Sequence, residues 1–140
     1  MENKNKKLNT ELVLNAYRAG LFPMAENSNT SEIFWVDPEV RGIIPLDKFH
    51  ISRSLKKLLR KKPYSIKFNY NFEQVIQACA EQSEQRNETW INQTIIAAYS
   101  ELFKQKCAHT VECWVDGALA GGLYGLTIGG AFFGESMFSK

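Results

Sequence analysis

The chain has 140 residues, enough for one domain with its own core, and 44% of them are hydrophobic, as in ordinary globular proteins. A net charge of +2 neither favours nor excludes a nucleic-acid partner, and no apolar run is long enough to predict a membrane span or a membrane partner. Residues 1–9 are polar and contain no apolar segment, so they predict a disordered tail and not a secretory signal.

The cysteines favour a reduced, cytoplasmic protein. Cys79, Cys107 and Cys113 are odd in number and form no Cys-x-x-Cys pair. Cys107, His109 and Cys113 lie close together in the sequence, but no fourth zinc ligand accompanies them. We therefore interpret the three cysteines as part-buried thiols and expect no metal site.

Helical periodicity dominates the first three quarters of the chain. Four polar residues stand where helix N-caps are expected: Thr10, Ser52, Asn71 and Asn92. Gly20 ends the first predicted helix and Pro63 the second. Each helix has an apolar face, made up in chain order of Val13, Ala16 and Tyr17; Leu55, Leu58 and Leu59; Phe72, Val75, Ile76 and Cys79; and Ile95, Ile96, Tyr99, Leu102 and Phe103.

The period of two that strands require is found at residues 64–70 and over the last quarter of the chain. Residues 64–70 alternate between apolar and polar, and three further strands are predicted at 109–115, 119–128 and 131–138. Asp116–Gly117 and Gly129–Gly130 are turn sequences. Residues 41–46 predict a short strand or an extended connection. Helices followed by an antiparallel β-meander predict an α+β fold.

Glu135 is the main candidate for chemistry. It lies within 129–139 (GGAFFGESMFS), which otherwise reads as a buried aromatic strand, and burying a carboxylate is costly unless it is paired. Strict alternation would put it on the face of Phe133 and Met137 and put Ser136 on the opposite face. The alternative is a structural carboxylate that accepts hydrogen bonds from backbone amides.

The glycines at 121, 122, 125, 129 and 130 do not form a phosphate-binding loop. Their spacing matches neither dinucleotide nor P-loop motifs, and no helix follows them. We interpret them as sites of β-bulges or of close backbone approach.

A basic cluster accompanies the helix after Ser52. Arg41 and Lys48 precede it, and its candidate nucleic-acid-binding members are Arg53, Lys56, Lys57, Arg60, Lys61 and Lys62. Such a cluster is either a solvated helix face or an electrostatic footprint for the phosphate backbone of a nucleic acid.

Seven motifs carry a resemblance to one family. They are 16–23 (AYRAGLFP), 34–38 (FWVDP), 50–54 (HISRS), 89–91 (TWI), 109–114 (HTVECW), 121–125 (GGLYG) and 130–139 (GAFFGESMFS). In this order the chain resembles the leucyl/phenylalanyl-tRNA–protein transferase family.

The resemblance implies transfer of Leu or Phe from aminoacyl-tRNA to proteins with N-terminal Arg or Lys, which marks them for N-degron proteolysis. It also implies a small N-terminal domain, here 10–62 with the basic helix, followed at 63–140 by an incomplete GNAT-like (acyl-CoA N-acyltransferase-like) domain. No cofactor is expected, and we expect a monomer.

The resemblance also implies residue roles. Glu135 would be catalytic, and the aminoacyl pocket would involve Tyr17, Trp90, Tyr99, Leu123 and Phe132. Trp90 is also expected at a pocket rim for a separate reason, because it lies between a polar loop and a helix cap. The basic helix would take the tRNA acceptor stem.

Two features depart from the family pattern. Met24 stands where many members carry tryptophan. The family also continues past residue 140 with a segment that bears a glutamine thought to act beside the glutamate, so we expect a truncated chain. The alternatives are an inactive remnant that at most binds tRNA and a transferase completed by a second chain.

Overall fold

Residues 8–82 and 87–140 are described by a computed structural model of the chain. Within these residues the elements are α1 (Thr10–Arg18), β1 (Phe22–Met24), β2 (Phe34–Val36), a 3-10 turn (Leu46–Lys48), α2 (Arg53–Lys61), β3 (Ser65–Phe68), α3 (Phe72–Ala80), α4 (Gln93–Lys104), β4 (Ala108–Val115), β5 (Ala118–Ile128) and β6 (Ala131–Ser139). The predicted α+β class and β-meander are confirmed. The short strand considered for residues 41–46 does not form: residues 41–45 have no regular secondary structure, and Leu46 begins the 3-10 turn.

The start of α1 differs from the prediction. Asn9, and not Thr10, is the N-cap, because its Oδ1 accepts hydrogen bonds from the backbone N–H groups of Glu11 and Leu12. Leu8 is only 8% exposed and packs in the core. Residues 8 and 9 are therefore part of the fold, which corrects the predicted tail; residues 1–7 lie outside the described residues.

The other three predicted caps are confirmed. The side-chain oxygens of Ser52, Asn71 and Asn92 each accept a hydrogen bond from the backbone N–H three residues later, at 3.2, 3.1 and 2.9 Å. Lys62 ends α2 in the left-handed region at φ 45°, directly before Pro63. Local sequence thus sets the bounds of these helices well.

The main sheet has the strand order β3-β4-β5-β6, and every neighbouring pair is antiparallel. Helices α3 and α4 cover one face of this sheet, and α1 packs against α4 and β1. The β4–β5 hairpin turns at Asp116 and Gly117, both with positive φ as a type I′ turn requires. The core between helices and sheet includes Val13, Val75, Ile76, Ile95, Tyr99, Leu102, Tyr124 and Leu126.

The opposite face of the sheet is apolar and open. Val111, Leu123 and Met137 lie side by side across β4, β5 and β6. An open depression of about 480 Å³ lies over them. Met137 is 67% exposed, so the helix layer lies on the other side of the sheet.

Helix α2 has the predicted bounds and apolar face, but none of its residues is buried. Leu55, Leu58 and Leu59 remain 39%, 47% and 40% exposed. No helix among residues 8–82 and 87–140 is long and apolar enough to cross a membrane.

Candidate functional site

Glu135 occupies a β-bulge in β6. Tyr124 of β5 pairs with Ser136 and the next residue, Gly125, pairs with Gly134, so no residue of β5 lies opposite Glu135. Strand β6 is also at the edge of the described sheet. The bulge thus leaves Glu135 without a cross-strand partner on β5.

The bulge corrects the predicted alternation of faces. Phe133 and Glu135 share the helix side, since both contact Tyr17. Beyond the extra residue, Ser136 and not Met137 faces that side, opposite the buried Tyr124. Met137 pairs with Leu123 on the open face. Strict alternation fails because one residue of β6 has no partner.

A chain of hydroxyl groups leads from the core to Glu135. Tyr17 donates a hydrogen bond from Oη to Oε1 of Glu135 at 2.5 Å. The hydroxyl groups of Tyr17 and Tyr99 are also hydrogen-bonded to each other. Since Tyr17 has one proton and gives it to the carboxylate, Tyr99 is the donor to Tyr17. Two buried tyrosines therefore orient this carboxylate.

Burial controls the ionisation of the cluster. It raises the pKa of Glu135 to about 7, while the hydrogen bond from Tyr17 and the charge of Arg41 act in the opposite direction. Burial, with charge repulsion from Glu135, also raises the pKa values of Tyr17 and Tyr99 above 10, so both stay neutral donors at physiological pH. Glu135 is thus the group here that titrates near neutrality.

We expect the Tyr17→Phe variant to raise the pKa of Glu135 above about 7, because it removes a hydrogen bond to the charged form. Tyr99→Phe removes only the donor to Tyr17 and is expected to give a smaller rise. NMR titration of the Glu135 side-chain carboxyl carbon measures both values. A fall, or no change, in the Tyr17→Phe variant would contradict the assigned hydrogen bond.

The same titration affects folding. The pKa of Glu135 in the folded protein lies above the ordinary glutamate value of 4.5, so the unfolded chain loses its proton first as pH rises. The contribution of Glu135 to stability therefore falls between about pH 4.5 and pH 7. In Tyr17→Phe this decline should extend to higher pH.

Aromatic rings and one cation surround the carboxylate. The ring of Phe133 meets the ring of Tyr17 edge-on, with centroids 5.3 Å apart. The guanidinium of Arg41 lies 4.9 Å from the ring centroid of Phe22 and 5.7 Å from that of Phe133. Tyr124, whose ring packs on Tyr99, has a buried hydroxyl with no hydrogen-bond partner in the described structure. Arg41 was predicted only as part of the basic cluster, so its place near Glu135 was missed.

Gly125 confirms one of the interpretations given for the glycines between 121 and 130, a close approach of the neighbouring backbone. A Cβ atom there would stand 2.5 Å from Cζ of Phe132 and closer still to the carbonyl oxygen of Phe133. Any side chain at residue 125 would therefore displace β6 next to the bulge. Phe132 remains 48% exposed on the open face of the sheet.

The structure brings together only some of the predicted site residues. Tyr17 and Tyr99 contact one another, and Tyr17 contacts Glu135, all on the helix side. Leu123 and Phe132 lie on the open face. Trp90 packs against the core at another position, where its carbonyl oxygen accepts a hydrogen bond from the N–H of Ala25 at 3.0 Å. Met24, at the position of the family tryptophan, pairs with Phe34 in the small sheet.

A second carboxylate was missed altogether. Glu112 is fully buried, and its oxygens accept hydrogen bonds from four donors: the N–H groups of Tyr70 and Asn71, Oγ1 of Thr110 and Nε1 of Trp114. Residues 108, 110 and 112 share the buried face of β4, whereas the apolar residues Val111, Cys113 and Val115 alternate on the other face, so the sequence pattern contained no signal for a buried Glu112.

Two family models match this chain. One, described as leucyl/phenylalanyl-tRNA protein transferase, matches residues 43–140, and its N-terminal domain model matches residues 6–39. The first alone covers well over half of the chain, so the resemblance seen in the motifs is confirmed. The chain belongs to the leucyl/phenylalanyl-tRNA protein transferase family, whose members are aminoacyltransferases that move Leu or Phe from aminoacyl-tRNA to protein N-termini.

Proposed function

We propose that this chain transfers Leu or Phe from aminoacyl-tRNA to the α-amino group of proteins that begin with Arg or Lys, with Glu135 as the general base. The observation that carries the proposal is the hydrogen-bonded row of Tyr99, Tyr17 and Glu135 at the bulge of an edge strand. A carboxylate whose pKa is about 7 is suited to accept a proton at neutral pH.

The chemistry requires positioning more than a strong nucleophile. The neutral α-amine of the acceptor attacks the carbonyl carbon of the aminoacyl ester, a C–N bond forms, and the C–O bond to the terminal ribose breaks. Glu135 takes a proton from the attacking nitrogen and passes it to the departing ribose oxygen, which leaves as a hydroxyl. An α-amine has a pKa of about 7.7–8.0, so a useful fraction is already neutral and orientation supplies much of the rate.

Glu135 serves the acceptor in a second way. Before the reaction the acceptor carries positive charge on its α-amine and on its Arg or Lys side chain, and an ionised carboxylate attracts both. Tyr17 keeps the carboxylate fixed through its 2.5 Å hydrogen bond. The tyrosines thus act as positioning residues for the base.

The aminoacyl side chain is proposed to lie against apolar groups around the bulge. The half-exposed ring of Phe132 and the neighbouring Leu123 offer such a surface on the open face. Tyr17, Tyr99 and Trp90, which were predicted for the same pocket, do not lie on this face. The two tyrosines are proposed instead to position Glu135, and Trp90 packs against the core. Apolar, aromatic surroundings of this kind favour Leu and Phe over polar amino acids.

Helix α2 is proposed as the tRNA contact. All its cations are exposed, and no acidic residue lies within the helix. Reversing the charges of Lys56, Lys57 and Arg60 to Glu should weaken tRNA binding by at least roughly tenfold at moderate salt and lower the salt dependence. The control reverses Lys104 and Lys106, which lie outside α2. Equal losses in both variants, or no loss in the α2 variant, would contradict this assignment.

Three finer features are part of the proposal. We infer a GNAT-like relationship for the second domain, supported by helices that precede an antiparallel meander. The acceptor specificity would place the reaction in the N-degron pathway. A cytoplasmic location follows from the substrates proposed.

An acceptor panel tests the specificity. The chain is incubated with charged Leu-tRNA and peptides that are identical except for an N-terminal Arg, Lys, Met or acetylated Arg. Leucine should be added to the Arg and Lys peptides only. The Met peptide lacks the cationic side chain, and the acetylated amine has no nucleophilic lone pair. Addition to the Met peptide at the same rate would contradict the proposed acceptor, and tRNA binding with no addition to any peptide would contradict the transfer itself.

A further inference from the structure

A second depression lies at the end of α2, on the β3 edge of the main sheet. It is open and has a volume of about 480 Å³, within the range of small-ligand sites. Its lining residues are Lys62, Pro63, Tyr64, Ser65, Lys67, Tyr70, Trp114, Asp116 and Gly117. Glu135 lies on β6, at the other edge of the described sheet, so this depression is separate from the proposed active site.

Two aromatic rings and a lysine form its centre. The rings of Tyr70 and Trp114 meet edge-on with centroids 5.5 Å apart. Nζ of Lys67 lies 3.7 Å from the centroid of Tyr70 and 4.9 Å from that of Trp114. Despite these contacts Tyr70 is still 63% exposed, which leaves aromatic surface for a ligand.

Glu112 holds this aromatic pair from below. Its Oε2 accepts a 2.9 Å hydrogen bond from Nε1 of Trp114, and its Oε1 accepts one of 3.1 Å from the N–H of Tyr70. The carboxylate is fully buried, so both residues are fixed to the core. Glu112 therefore holds the Trp114 ring through its own N–H and fixes the backbone at Tyr70, whose ring contacts Trp114 edge-on, so binding loses little freedom at the indole.

The charge of the depression favours an anion. Lys62 and Lys67 line it together with one acid, Asp116. Lys62 is also the C-cap of α2, so the basic helix continues directly into the depression. Aromatic rings beside cations suit a nucleotide, since every base has a π-face and each nucleotide carries a phosphate.

We propose that this depression binds one unpaired nucleotide of RNA, with the base on Tyr70 and Trp114 and the phosphate at Lys62 and Lys67. The depression would extend the proposed RNA-binding surface of α2. It rests on the proposed function in one respect only, which is the identification of the RNA as tRNA. An acidic peptide would use the lysines but would gain nothing specific from the exposed ring.

The test uses the full chain and a short single-stranded RNA of adenosines, followed by fluorescence anisotropy. Tyr70→Ala should weaken binding roughly tenfold, because stacking on an aromatic side chain is lost. Phe68→Ala is the matched control: Phe68, the last residue of β3, is 69% exposed and aromatic but is not part of the depression, and its loss should leave affinity unchanged. Lys67→Gln should lower the slope of log affinity against log salt by about 0.7.

Unchanged RNA affinity in Tyr70→Ala, or an equal loss of affinity in Phe68→Ala, would overturn the proposal. It would also be overturned by a polyglutamate peptide that displaces the RNA equally well from the wild type and from Tyr70→Ala. Failure here is distinct from failure of the transferase. A chain that transfers leucine but binds the oligonucleotide independently of Tyr70 contradicts only this site. A chain that binds it through Tyr70 but transfers nothing contradicts only the proposed function.

Discussion

Replacing Glu135 by glutamine is expected to lower the rate constant of leucine transfer by at least about 100-fold. The amide has nearly the shape of the carboxylate, but it neither accepts the proton of the attacking amine nor attracts the cationic acceptor. It also keeps an oxygen that can accept the hydrogen bond of Tyr17. The loss should therefore appear in the chemical step, while the fold is retained.

Single-turnover transfer from Leu-tRNA to an Arg peptide measures this effect, and thermal unfolding checks the fold. Glu101→Gln is the control, because Glu101 is a surface carboxylate whose ion-pair partner is Lys104 of the same helix. It should transfer at the wild-type rate. A Glu135→Gln variant within a few fold of wild type would show that the carboxylate is structural, which is the alternative that its sequence position left open.

The second large effect is expected at Glu112. Glutamine there should lower the free energy of unfolding by about 3 kcal/mol, the usual scale for hydrogen bonds to a charged group combined with a buried donor left unpaired. With its oxygen toward the three donors at Oε1, the amide nitrogen faces Nε1–H of Trp114, so two donors meet. Rotating the amide places the nitrogen against three donors instead.

Urea unfolding measures this change, and the control variant Glu101→Gln, at a partly exposed site, should stay within about 0.5 kcal/mol of wild type. A double-mutant cycle sharpens the cause. A Trp114→Phe background lacks the indole N–H that would meet the amide nitrogen. Glu112→Gln should therefore lower the free energy of unfolding less in that background than in the wild type. Equal costs in the two backgrounds would show that the conflict with Trp114 does not determine the loss.

Local chemistry explains what the sequence predicted well. Ser52, Asn71 and Asn92 cap their helices because each side chain reaches a backbone N–H only three residues away. The Asp116–Gly117 turn likewise depends on two adjacent residues that tolerate positive φ. Signals of this range need no knowledge of the rest of the fold.

The site depended on information that is not local. The hydrogen bond from Tyr17 to Glu135 spans 118 residues, and the bulge exists only in the pairing of β6 with β5. A period-two pattern assumes one partner per residue, so it placed Met137 and Ser136 on the wrong faces. The motifs identified Glu135 as important, but the tyrosines were expected to line a pocket and were found to hydrogen-bond in a row that ends at the carboxylate.

Helix α2 illustrates a third limit. Periodicity correctly predicted both a basic face and an apolar face, yet Leu55, Leu58 and Leu59 stay about as exposed as many polar residues. Amphipathicity predicts which side of a helix can be buried, but a packing partner decides whether it is. Asn9 was missed for a simpler reason, since the neighbouring Thr10 is also a common N-cap residue.

The most direct test of the central claim is the mass of an Arg-starting peptide after incubation with this chain and charged Leu-tRNA. The account predicts a product heavier by one leucine residue, attached at the α-amine, with formation that increases as pH rises through about 7, where Glu135 loses its proton. An unmodified peptide in the presence of bound, fully charged tRNA would contradict it.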